Sequence, residues 1–220
     1  MNTGTKGAGQ IVLDWFTIRS ITAWASTQDP GLGLLFIAIG LILMLLGWRF
    51  SRSLIALSLL IGGGAAGAQF LQDMPSLQMA LILASATGCC ALGIRFPRVG
   101  AAILTGGWAA FALSAALERI QAGTGLTAIA VAAAFFATAA ISFAVFRESV
   151  AFVTSLEGSL VFLTGGFILL AGAPAWWFLI REVIERNPVF LPFLVLTGTV
   201  TGYHIQTGDM RAGQLGTFQA

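Results

Sequence analysis

Apolar residues in this chain fall into long unbroken runs separated by short polar breaks, rather than alternating. Seven runs stand out, roughly Pro30–Gly47, Ser53–Leu71, Ser76–Ile94, Val99–Leu117, Gly125–Phe146, Val150–Ala171 and Pro188–Ile205. Apolar runs of roughly 18 or more residues are candidates for membrane-crossing helices. They lack the two-residue alternation of a barrel strand, and in lipid their backbone must be satisfied internally. The pattern predicts an all-α, polytopic transmembrane helical bundle of about seven spans. The last run is the shortest and contains Pro192, which predicts a kink or tilt. A six-span reading leaves that run at the surface.

Two further segments mix apolar and polar positions. Gln10–Ser26 sets Ile11, Trp15, Ile18 and Trp24 beside Asp14, Thr17 and Arg19. Pro174–Asn187 begins with tryptophans and continues as REVIER, with Glu182 and Arg186 at i,i+4 spacing. Tryptophan favours the headgroup layer, and a helix with one polar face lies in its plane; the alternative is that each segment extends a neighbouring span. The chain thus divides into an N-terminal tail with an interfacial helix (1–29), a six-span bundle (30–171), an interfacial segment (172–187), a seventh span (188–206) and a C-terminal tail (207–220).

Composition agrees with lipid as the solvent. Of 220 residues 57% are hydrophobic and 9% charged, against roughly 25% charged in a soluble domain, and mean hydropathy is +0.91. The 27 glycines lie largely inside the apolar runs, where they let helix backbones approach closely. Net charge is +2 and Lys6 is the lone lysine, so no basic cluster points to nucleic acid. Cys89 and Cys90 are adjacent within an apolar run; they read as small packing residues, since two thiols make no metal set. No cofactor is expected. Nor is a cleaved signal peptide, because Asp14 interrupts the short run Ile11–Phe16.

Charge changes the picture most at three breaks. The first and second spans are joined by GWRFSR (Gly47 to Arg52), the third and fourth by GIRFPR (Gly93 to Arg98), the fifth and sixth by AVFRES (Ala144 to Ser149). With seven spans these turns share one side, and Arg49, Arg52, Arg95, Arg98 and Arg147 mark it as cytoplasmic by the positive-inside rule. That places the N-terminus outside and the C-terminus inside a cell inner or plasma membrane. Lys6, Arg19, Arg119, Arg181 and Arg186 fall on the opposing side.

The turns also begin a repeat. GWRFSR leads to SLIALSLLIGGGAAG, GIRFPR to VGAAILTGGWAAFAL, and AVFRES to VAFVTSLEGSLVF. Each arginine turn is followed by an apolar half-helix and then by glycine: Gly62 and Gly63, Gly106 and Gly107, and Gly158. Recurrence of this kind predicts one helical hairpin used three times, with the seventh span added. Small residues at a common depth predict that spans two, four and six approach one another inside the bundle. The signature, at its best in GWRFSRSLIALSLLIGGG and covering roughly Leu35 to Gly166, resembles the seven-pass membrane family typified by transmembrane protein 198. The resemblance implies a polytopic, non-enzymatic membrane protein, with a role in signalling complexes for animal members. It carries no catalytic residues across.

One ionisable residue is buried in a run. Glu157 lies about nine residues past the Arg147 turn, roughly 13 Å deep at 1.5 Å per residue, near the bilayer centre. In the hairpin comparison Glu157-Gly158 stands opposite Gly106-Gly107. A charge at that depth costs on the order of 2.5–3.5 kcal/mol, so such carboxyls face a bundle interior. Its candidate partners are Thr154, Ser155, Thr197, Thr199 and the indole N–H of Trp108. Either it forms a proton or cation site, or it is a neutral hydrogen-bonding group joining helices. His204, the single histidine, reads as an interfacial residue. Ser159 with His204 lacks any protease motif, and GAGQ and GTGL are not phosphate loops. No catalytic, cofactor or metal site is expected, and the chain is not expected to be an enzyme. The expected function is a structural or accessory subunit of a membrane assembly, with lipid, other membrane subunits or further copies of itself as partners. The alternative is a small channel or proton- or cation-coupled transporter using Glu157, with Ser85, Thr87, Thr197 and Thr199 along its path.

Overall fold

The structure, a computed structural model, describes residues 24–70, 75–120, 123–187 and 189–216. Among these residues it is all helical. The helices are α1 (Pro30–Leu46), α2 (Ser51–Phe70), α3 (Pro75–Arg95), α4 (Pro97–Arg119), α5 (Thr124–Ala144), α6 (Phe146–Ala171), α7 (Pro174–Arg186) and α8 (Phe190–Gly216). Prolines open α1, α3, α4 and α7, where the missing N–H breaks no helical bond and the fixed φ suits the first turn. Asp29 caps α1, its Oδ1 accepting from the Gly31 N–H at 2.7 Å. Pro192 sits in the first turn of α8, a position that tolerates proline without a kink. The predicted N-terminal interfacial segment lies outside the described residues except for its last three, of which Ala25 is buried.

Among the described residues, four helical segments are long and apolar enough to cross a membrane: Ser51–Ala68, Pro97–Leu117, Gly125–Ala144 and Phe146–Ala171. Pro30–Leu46 and Met79–Arg95 are apolar but shorter. Helix α8 is long enough, yet it mixes threonine, histidine and glutamine with its apolar residues and is not one of the four.

The chain forms two compact units. The first holds residues 1–47 and 154–220. In it α1 and α6 run antiparallel with backbones in contact. A Cβ placed on Gly40 would lie 2.5 Å from the Phe162 nitrogen, and one on Gly165 would lie 2.6 Å from the Gly33 oxygen. One on Gly158 would meet Met44 and the Gly40 oxygen, and Gly47 abuts Thr154. Helix α7 turns Trp177, Ile180 and Ile184 onto Phe167 and Ile168 of α6, the one-sided spacing of an amphipathic helix. Trp176 and Phe178 face outward, and Arg186 pairs with Glu182.

The second unit holds residues 48–153. Its helices pair in sequence order. On α2, Gly63 meets Ser85 and Cys89 of α3, while Gly93 of α3 meets Ala56 and Leu59 of α2. On α4, Gly106 meets Phe135 of α5. The first turns of α2, α4 and α6 converge in one apolar cluster of Ile55, Leu59, Ala101 and Val150, against which Phe146 also packs.

The expected glycine-lined meeting of spans two, four and six takes a different form. The nearest neighbours of Gly63, Gly106 and Gly158 all lie on odd-numbered helices, α3, α5 and α1. Even-numbered helices meet nearer their arginine ends, through aliphatic side chains. A bare backbone strip favours whichever helix can lie closest along it, and an antiparallel neighbour matches it over the greatest length.

Candidate functional site

The densest polar contact lies in the first unit, around a residue that sequence reasoning passed over. Gln206, fully buried on α8, donates from Nε2 toward the carbonyl oxygens of Leu43 and Met44, both at 3.0 Å, and toward Ser155 Oγ at 3.1 Å. Its Oε1 accepts from Thr154 Oγ1 at 3.2 Å. Leu43 and Met44 belong to the last turn of α1, and the Leu43 oxygen also accepts from the Gly47 N–H at 3.0 Å. Gln206 thus ties the end of α1 to α8.

Small residues make room for this contact. Gly198 abuts Ser159, and Gly202 abuts Ser155, whose Oγ would lie 2.9 Å from an added Cβ. Ser159 Oγ and Thr199 Oγ1 both donate to the Val195 oxygen, at 3.1 and 2.7 Å. Gly198, Gly202 and Gln206 follow one another at four-residue spacing, as do Ser155 and Ser159. That spacing is the signal by which the seam could have been found, since small residues four apart form one face of a membrane helix.

The residues proposed around Glu157 do not all gather there. Glu157 is half-buried on α6, next to Gly158. Thr154 and Ser155 are buried on the same helix and engaged by Gln206. Thr199 is buried on α8, whereas Thr197 is exposed and donates to the Phe193 oxygen of its own helix at 2.8 Å. Trp108 belongs to the second unit, where its ring meets Phe111 edge-on at 6.1 Å. Gly63, Gly106 and Gly158 are close-contact positions, while Gly62 and Gly107 face open space. His204 is exposed beside Tyr203.

In the second unit Ser85 Oγ donates to the Gly63 oxygen across α2 and α3 at 2.9 Å, and Thr87 is exposed and bonds within its own helix. Ser142 Oγ is buried on α5 without a hydrogen-bond partner. Arg49, Arg52, Arg95, Arg98 and Arg147 are all exposed at the turns. The turns are tight, Phe96 alone joining α3 to α4 and Val145 alone joining α5 to α6. Among the described residues no group of histidine, cysteine and carboxylate side chains is placed to hold a metal ion.

Burial around the arginines follows one register. Gly47, Gly93 and Ser142, five residues before Arg52, Arg98 and Arg147, are buried. So are Ile55, Ala101 and Val150; Ala56, Ala102 and Ala151; and Leu59, Thr105 and Thr154. Ser53, Val99 and Glu148 are exposed, as are Leu57, Ile103 and Phe152. No protein-family model, curated protein or solved structure matches the chain.

Proposed function

We propose that the chain is a seven-span integral membrane protein, with α1 to α6 and α8 as spans, that serves as a structural or accessory subunit of a membrane assembly. The carrying observation is where its polar side chains go. Within the spans, Thr105, Ser159, Thr164, Thr199 and Gln206 donate to carbonyl oxygens of the protein itself. Ser159 and Gln206 reach carbonyls of a neighbouring helix and so fix register. Thr105, Thr164 and Thr199 satisfy their hydroxyls within their own helices and leave less polarity for a water-filled path. Large apolar side chains such as Leu34, Ile61, Ile129 and Phe136 point outward, a surface suited to lipid or to another membrane helix.

The burial register supports three copies of one unit, each built around an arginine turn. In that register the third copy is SFAVFR, Ser142 to Arg147, two residues earlier than the turn sequence alone suggests. Glu157 then stands opposite Gly62 and Trp108, and Gly158 opposite Gly63. The three even helices pair with α3, α5 and α1, so the first helix of the chain completes the third copy. The resemblance to the transmembrane protein 198 family rests on the arginine turns and the glycines that follow them.

The second reading, a proton or cation pathway through Glu157, draws on that half-buried carboxyl among small residues of α6. One experiment separates the two. The purified protein is placed in sealed vesicles and proton and cation flux is recorded, while native mass spectrometry after mild extraction reports its assembly. The accessory reading expects background flux and a complex of fixed stoichiometry. Flux well above background that Glu157→Gln abolishes would overturn it.

A further inference from the structure

We infer that the arginine-bearing end of the second unit is a binding surface for the phosphate headgroups of anionic membrane lipids. Ile55, Ala101 and Val150 belong to one apolar cluster, which brings the starts of α2, α4 and α6 together. Arg52, Arg98 and Arg147 each lie three residues before one of these, about 4.5 Å along the helix axis, and all three are exposed. Arg49 and Arg95 add to the same turns, and Glu148 is the sole carboxylate within them. Among the described residues Arg52, Arg95, Arg98 and Arg147 form no ion pair. Four guanidinium groups against the single carboxylate of Glu148 leave an excess of positive charge at one end of a compact unit, which an anion offsets.

The neighbours of these arginines select the kind of anion. Phe50 is 55% exposed, Phe96 57% and Ile94 64%, each adjacent in sequence to an arginine. Such apolar side chains gain nothing in water, but at the edge of a bilayer they enter the acyl region while the guanidinium stays among the headgroups. Guanidinium donates two parallel hydrogen bonds to a phosphate, which an ammonium cannot reproduce. An anionic phospholipid supplies both halves, phosphate for the arginines and chains for the phenylalanines. Free phosphate supplies one, and a zwitterionic lipid offsets its phosphate with its own cation.

The test uses the full chain in an uncharged detergent, stripped of lipid and offered equal amounts of phosphatidylglycerol and phosphatidylcholine, with bound lipid counted by native mass spectrometry. Phosphatidylglycerol is expected to be retained preferentially, with affinity falling about fivefold for each arginine removed in R52Q, R98Q and R147Q. Equal retention of the two lipids by the wild-type chain would overturn the inference without any variant. So would variants that elute and melt as wild type yet keep full selectivity. Displacement of the lipid by inorganic phosphate at equal concentration would assign the arginines to a soluble anion and overturn it as well. R98K gives a finer reading: it keeps the charge and is expected to lose part of the preference, because the paired hydrogen bonds are gone.

Discussion

The two units join helices by different means. In the second, partners adjacent in sequence lie together, α2 with α3 and α4 with α5, and their shared core is aliphatic. In the first, α1 pairs with α6 and α8 from the far end of the chain, and buried Thr154, Ser155, Ser159 and Gln206 help hold these helices in register. A short loop already limits how two neighbouring helices can slide. Helices separated by most of the chain have no such tether, and apolar contact between them in lipid is weakly directional. Hydrogen bonds to particular carbonyls supply the missing register. The comparison teaches that side-chain hydrogen bonds between helices do most where no short connection tethers the pair.

The largest test of that contrast concerns backbone contact. Gly40→Ala places a methyl against the Phe162 backbone, where neither helix can yield by rotating a side chain. The expected cost is about 2 kcal/mol, the usual range for overpacking, read as a lowered unfolding midpoint in detergent. Gly62→Ala is the partner experiment, since nothing lies within 4 Å of its added methyl. It should leave the midpoint unchanged or raise it slightly, because alanine loses less backbone freedom in a helix. Equal losses in the two variants would mean that close approach of α1 and α6 is not what holds the first unit.

The order of the helices was legible in the sequence; their division into two units was not. Apolar run length placed α1 to α6 within a few residues of their observed ends, and the arginine turns marked the breaks. The amphipathic Pro174–Asn187 is observed as α7. What the runs could not convey was partnership. A glycine cluster states that some backbone comes close, and only geometry adds that Gly63 meets α3 while Gly62 meets nothing. Glu157 drew attention because charge in an apolar run is costly, while Gln206 sits where the run gives way to polar residues and reads as the end of a span. Its contact to Leu43 crosses 163 positions of the chain, a distance over which sequence periodicity carries no information.

Gln206→Leu comes next in size. It keeps the bulk, removes the donors to Leu43, Met44 and Ser155, and unties the end of α1 from α8. Interhelical hydrogen bonds in membranes average about 0.6 kcal/mol and reach about 1.7, so the loss should be about 1–2 kcal/mol. It should appear in the first unit, as faster amide exchange at the end of α1, while exchange in α2 to α5 stays unchanged. Uniform acceleration throughout the chain would mean that the two units unfold as one, and the contrast between them would then describe packing but not stability.

The smallest expected effect is the most searching, because it asks whether polar contacts in the second unit matter at all. Ser85 Oγ reaches the Gly63 oxygen of α2 at 2.9 Å but also lies 3.0 Å from the Ile82 oxygen of its own helix. A hydroxyl with an acceptor in its own helix gives up little when the second acceptor is lost. The glycine carbonyl keeps its place in the α2 backbone ladder, and the loop after α2 still limits sliding. Ser85→Ala should therefore cost no more than about 0.6 kcal/mol, the average for such a bond. Thr197→Val on exposed α8 surface, where the hydroxyl bonds only its own helix, provides the baseline for a change with no interhelical component. A Ser85→Ala loss as large as that of Gln206→Leu would show that register in the second unit also depends on side-chain hydrogen bonds, and that sequence neighbours gain less from their short loops than their pairing implies.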